Sequence, residues 1–119
     1  MNSILINLGD RYLSQERKIA KLVRQILRKA GIEGAQISIS LVDAQEIRVL
    51  NRKYRGIDRP TSVLSFFQGQ VLPNGGLLLG EVIVCPQVGE EQNFNIRELI
   101  VHGVKSLLSE ISTPKDQST

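Results

Sequence analysis

Arg48, Arg52, Lys53, Arg55 and Arg59 crowd one short stretch of the chain, opposed there only by Asp58. Guanidinium and ammonium groups spaced this closely suit a string of phosphates, so an anionic partner such as RNA fits the pattern; a solvated helix face would carry the same pattern. The single histidine, His102, lies one helical turn after Glu98 and precedes Gly103. Taken alone, it fits a partly buried imidazole bonded to a carboxylate or hydroxyl. The single cysteine, Cys85, has no histidine or aspartate at a spacing that supports a thiol nucleophile, and it reads as a buried strand residue. It cannot form an intrachain disulfide, and no Cys/His cluster suggests a zinc finger. A reducing compartment, the cytoplasm, is therefore expected.

These residues must be held by elements whose periods are visible in the sequence. Residues 4–8 read as a first strand ended by Gly9-Asp10. From about 14 to 30, Ile19, Leu22, Val23, Ile26, Leu27 and Ala30 recur at helical spacing, and Gly31 is placed to stop the helix. Ile37, Ile39 and Leu41 alternate with Ser38 and Ser40, the period of a strand with one buried face. Asp43 and Glu46 stand three apart, as in a capping box, and open a second helix that carries Ile47, Leu50 and Tyr54 inward before Gly56. The basic cluster thus lies on this helix and its exit loop. Residues 62–67 and 77–84 form two β-prone runs around the turn Pro73-Asn74-Gly75-Gly76. Asn95 and Glu98 repeat the capping spacing, and the helical period from Ile96 to Ile111 predicts a third helix running to about Pro114, before a frayed polar tail at 115–119. The order β-α-β-α-β-β-α predicts an α+β fold: a small mixed sheet with about three helices, in one domain over residues 1–119.

Composition agrees with this. A chain of 119 residues that is 41% hydrophobic can bury a core without disulfides or a structural metal. The net charge is +3 and the sequence pI about 9.3, which favours an anionic partner without demanding one. No run approaches the roughly 20 apolar residues of a membrane span, and the amino terminus lacks a basic segment followed by a long apolar one.

Three blocks of sequence resemble the YbeY endoribonuclease family. The first is Leu50-Asn51-Arg52-Lys53-Tyr54-Arg55-Gly56-Ile57-Asp58-Arg59-Pro60-Thr61 with Val63-Leu64-Ser65-Phe66 after it, where Ser62 stands in place of the family's Asp or Asn. The second is Leu79-Gly80-Glu81-Val82-Ile83, similar to the family's Leu-Gly-Asp-Ile strand with Glu81 replacing the aspartate. The third, Leu99-Ile100-Val101-His102-Gly103-Val104, matches the opening of the family's His-Gly-x-x-His signature. The resemblance runs from about Leu50 to Leu108 and implies a zincin-like YbeY architecture.

It also implies chemistry. Family members hold zinc with two histidines four apart on a helix and a third after a glycine-containing turn, leaving a position for water that the metal activates for hydrolysis. In this chain those positions are His102, Ser106 and Ser112, and Ser109-Glu110-Ile111 replaces the turn. Serine hydroxyls are poor zinc ligands, so the expectation is zinc weakly held or absent. Glu98, one turn before His102, and the Cys85 sulfur could assist, but nothing in the spacing requires them to converge. Arg55 matches the arginine that the family places near its metal cleft, where it would bind RNA phosphate and stabilise developing charge. The resemblance therefore implies an endoribonuclease of ribosomal RNA maturation and ribosome quality control, with Arg55 and His102 as catalytic residues and RNA or the small ribosomal subunit as partner. A chain that binds RNA or the ribosome without cutting is the alternative. A zinc protease is disfavoured, because Gly103 stands where such enzymes place a glutamate. Relative to the family, the C-terminal end is expected to be shortened.

Overall fold

Each sequence period meets a partner element that can bury it. The computed structural model describes residues 1–112, without the side chains of Asp10, Arg11 and Ser112. Strand β1 (Ser3–Asn7) leads through a 3-10 helix (Asp10–Gln15) into helix α1 (Glu16–Lys29), followed by β2 (Ala35–Leu41) and α2 (Ala44–Arg55). A hairpin of β3 (Val63–Val71) and β4 (Leu77–Val84) precedes α3 (Pro86–Glu91) and α4 (Ile96–Ser112). Strand order is β1-β2-β4-β3, with β1, β2 and β4 parallel and β3 antiparallel at one edge. The α+β mixed sheet expected from the sequence is present. The side chain of Ser112, the helix end at Pro114 and the tail at 115–119 lie outside the described residues.

The core is built on one face of this sheet. Ile37, Ile39 and Leu41 of β2 and Leu79, Val82 and Val84 of β4 pack against Ile19, Val23 and Leu27 of α1 and Ile100, Val104 and Leu107 of α4. A smaller apolar cluster lies on the opposite face, where Ile47 of α2 meets Leu64, Ile83, Cys85 and Val88. β4 serves both clusters by alternation, Ile83 facing one and Val82 and Val84 the other, but an irregularity before Glu81 adds Leu79 to the main core. Strict alternation would put Leu79 and Val82 on opposite faces, but the register slips opposite Gln36/Ile37 and again opposite Phe67/Gln70. Gly80 makes the slip at φ 152°, and a β-carbon there would stand 2.2 Å from the Phe66 carbonyl oxygen, so no other residue fits. Leu79 and Val82 both enter the main core as a result, while Glu81 turns to the other face.

Both predicted capping boxes form. The Glu46 N–H donates to Asp43 Oδ1 (2.8 Å) while the Asp43 N–H reaches Glu46 Oε1 (3.4 Å), and Asn95 and Glu98 exchange the same pair of bonds at 2.9 and 2.8 Å. α1 ends where Gly31 predicts, the Gly31 and Ile32 N–H groups closing on the carbonyls of Arg28 and Leu27. The turn at 73–76 is also present, with the Gly76 N–H on Asn74 Oδ1.

Three features depart from expectation. Helix α3 is additional to the predicted order: six residues carry too little apolar period to announce a helix, yet Pro86 at its first turn needs no N–H there and has its φ already set. Tyr54, expected to point inward, is 55% exposed: its ring meets Phe66 of β3 obliquely and borders an open cleft instead of entering a core cluster. Asn2 lies before the predicted start of β1 but is buried, its amide bridging the Ile32 carbonyl and the Ala35 N–H, which ties β1 to the entrance of β2.

Candidate nucleic-acid interface

The basic cluster occupies the last turns of α2 and the loop beyond it. Arg52, Lys53 and Arg55 sit in the last turn, where cations oppose the negative end of the helix dipole. The left-handed Gly56 (φ 73°) stops the helix by donating its N–H to the Arg52 carbonyl. Inside the turn Asn51 is buried, at 3% exposure, and its amide donates to the Arg59 carbonyl at 2.9 Å. The sequence marks Asn51 only as part of a motif. Its role here is to pin the 56–61 loop, so that Arg59 leaves from a fixed backbone.

The five cations are not equivalent. Arg48 donates from Nε and Nη2 to the two carboxylate oxygens of Asp58, at 2.9 and 3.4 Å. The hydrogen bond to Arg48 holds the Asp58 carboxyl below its ordinary range, with smaller help from the charges of Arg48 and Arg52, and raises the arginine in return. Arg48, a predicted RNA contact, is thus already neutralised. Arg52, Lys53, Arg55 and Arg59 are exposed and have no ion pair with another described residue. Lys53 Nζ lies 5.2 Å from the Tyr54 ring centroid, and Tyr54 in turn meets Phe66 at 5.0 Å between centroids and an interplanar angle of 58°. Tyr54 is the residue that periodicity misplaced; its position beside four cations was the available signal.

His102 sits on α4, and it is exposed rather than partly buried as its type alone suggested. Its neighbour Gly103 faces the sheet at close range: a β-carbon there would meet Val82 Cγ1 at 2.4 Å, and its carbonyl accepts from Ser65 Oγ at 3.1 Å. The glycine of the motif therefore lets α4 lie tight on β3 and β4. Arg55 and His102 belong to helices on opposite faces of the sheet, and no hydrogen bond or ion pair joins them to each other.

The donors around His102 do not fit a three-nitrogen metal site. Ser106, one turn on, is exposed and offers a neutral hydroxyl. Glu98 is engaged in the capping box with Asn95. Cys85 is fully buried on the opposite face of the sheet, at the foot of α3, and burial pushes its thiol above the ordinary range against the smaller pull of the Val88 and Gln87 N–H groups. Glu98 and Cys85 do not gather around His102, and among the described residues no three His, Cys, Asp or Glu side chains converge. Among them, too, no helix is long and apolar enough to cross a membrane.

A mixed sheet backed by two helices on one face, with a cationic rim at the exit of α2 of which four members make no ion pair among the described residues, defines an α+β protein whose exposed surface suits a polyanion. Comparison with known proteins carries this to a family. The family described as Endoribonuclease YbeY matches residues 6–108. The protein named Endoribonuclease YbeY from Aquifex aeolicus is 35% identical over 115 residues, covering 90% of this chain and 75% of the relative. That from Persephonella marina is 35% identical over 119 residues, covering 91% and 77%. A solution structure of a Thermotoga maritima protein superimposes with a TM-score of 0.55 at 27% identity, covering 87% of this chain and 69% of its own. The chain belongs to the YbeY family.

Proposed function

We propose that this chain acts on single-stranded RNA in the cytoplasm, with ribosomal RNA of the small subunit as its substrate class, and that it holds the phosphates at the exit of α2. The observation that carries this reading is the set Arg52, Lys53, Arg55 and Arg59: exposed, without an ion pair to any other described residue, and mounted on a helix end and loop that the buried Asn51 holds in place. Pre-positioned guanidinium groups bind phosphate with little loss of side-chain freedom. Arg55, the last residue of α2, is the group best placed to bridge two phosphate oxygens and to stabilise negative charge that develops there. The names of the relatives support RNA as the ligand.

Two readings divide over the fate of the bound RNA. In the family's reading the phosphodiester is hydrolysed, with Arg55 on the phosphate and His102 beside the reacting water, although the two residues stand on helices on opposite faces of the sheet. In the second the chain docks on RNA or the ribosome without cutting, and one observation favours it: Ser106 presents a hydroxyl where the second imidazole is needed.

The test is cleavage of a labelled single-stranded RNA by the purified chain, with and without chelator, alongside metal content per chain and a Ser106→His/Ser112→His variant. Chelator-sensitive cleavage with near-stoichiometric zinc in the unmodified chain establishes the nuclease. RNA binding without cleavage, and zinc taken up by the restored variant alone, establishes the binder. Failure to bind RNA at low salt refutes both.

A further inference from the structure

Strand register lines up Leu5, Ser38, Glu81 and Phe66 as one row across all four strands, on the face away from α1 and α4. The cluster under α2 covers one end of that face and leaves the rest open. The uncovered part is a cleft of about 400 Å³ with Tyr54 and Phe66 on its wall and Asn7, Ser40, Gln68 and Glu81 among its polar lining. This volume lies in the range of small-molecule and nucleotide sites.

Three properties define what fits there. The wall is aromatic: Tyr54 is more than half exposed and packs obliquely on Phe66, so ring surface that the fold does not bury is available for stacking. The floor holds a carboxylate. Glu81 is half-buried and makes no hydrogen bond or ion pair with another described residue, although Gly80 is constrained so that this side chain leaves the core face. A carboxylate is an acceptor at both oxygens, and half-burial without a partner makes it gain from any ligand that brings donors. The rim is cationic, with Lys53 beside the Tyr54 ring and Arg52 and Arg55 on the same helix end. A ligand with a flat aromatic body, a donor edge and an anionic backbone meets all three.

We propose that this cleft is a base-recognition subsite that takes one unstacked guanine from RNA held at the exit of α2. The inference rests on RNA being the ligand. Unpaired bases are read by stacking on aromatic rings and by hydrogen bonds to their edges. Guanine alone among the four bases presents two adjacent donors, N1–H and the N2 amine, which match the two oxygens of Glu81. Uracil sets its one N–H between two carbonyls, and adenine and cytosine place an acceptor beside their amine, so each brings a lone pair against the carboxylate. The amides of Asn7 and Gln68, on the same lining, can donate to guanine O6.

The experiment is fluorescence anisotropy of the full chain with short oligouridine probes that carry one central guanine, adenine, cytosine or no replacement. The guanine probe is expected to bind about tenfold tighter than the others. Replacing that guanine by inosine, which lacks the N2 amine, should remove most of the preference with no change to the protein, and Glu81→Gln should do the same. Equal affinity for all four probes overturns the subsite and leaves the RNA reading standing. So does a guanine preference that survives inosine. If no probe binds at low salt, the RNA reading falls and the subsite with it. Should Glu81→Gln fail to fold, the inosine comparison decides alone.

Discussion

The salt dependence of RNA binding is set by which cations the structure leaves free. Each phosphate neutralised on a single strand contributes about −0.7 to the slope of log K against log salt. Arg52, Lys53, Arg55 and Arg59 have no acidic partner among the described residues, whereas Arg48 is spent on Asp58. One phosphate per free cation gives a slope near −2.8, which is roughly a fiftyfold loss of affinity between about 50 and 200 mM salt. Arg55→Ala should bring the slope to about −2.1 and weaken binding at low salt. Arg48→Ala should change the slope less than Arg55→Ala, because Arg48 is paired with Asp58 and contacts no phosphate; the freed carboxylate repels RNA at low salt and is screened as salt rises. Anisotropy titrations of a short oligouridine over a salt series measure both. A wild-type slope shallower than about −1, or an Arg48→Ala slope as shallow as that of Arg55→Ala, would refute the assignment of the binding surface.

Three further outcomes are expected. Gly103→Ala should destabilise the chain by about 1–2 kcal/mol in urea unfolding, since overpacking against Val82 outweighs the gain of about 1 kcal/mol in helix propensity; Val82→Ala in the same chain should restore part of the loss, and an unchanged Gly103→Ala midpoint would show that α4 is free to shift. Asn51→Ala should cost about 0.5–1.5 kcal/mol by removing the bond to the Arg59 carbonyl, partly offset by loss of the unpartnered Asn51 Oδ1, and should lower RNA affinity at low salt although no charge is lost; wild-type stability and affinity together would mean that the loop needs no pin. Cys85 should react slowly with Ellman's reagent in the native chain at neutral pH and quickly in denaturant. Its folded-state pKa is raised, so the stability it contributes is complete below the unfolded thiol value and is lost as pH rises through the folded one. Fast native labelling would place the thiol at the surface.

The legible parts of this fold are those that act over a few residues. Asp43 with Glu46 and Asn95 with Glu98 could be read as caps because each box closes within four positions. The basic stretch from Arg48 to Arg59 was equally plain. The features that escaped reading depend on partners far along the chain. Tyr54 obeys the helical period of Leu50 and still shows more than half its surface to solvent, because its ring packs only obliquely on Phe66 and the cleft beside that pair stays open. Arg48 looks like its neighbours until a loop returns Asp58 to it ten residues later. Glu81 looks like one more alternating strand residue until β2 and β3 pair on either side of the slip at Gly80.

The sequence by itself determined the strands, the three longer helices and their caps, the family, and the donor chemistry around His102, since an imidazole or a hydroxyl is a covalent fact at its position. The tertiary structure decided which cations keep their charge available, which aromatic ring stays in solvent and which face of the sheet is left uncovered. Those are properties of pairs and surfaces, set by strand register and helix docking between segments that share no local signal.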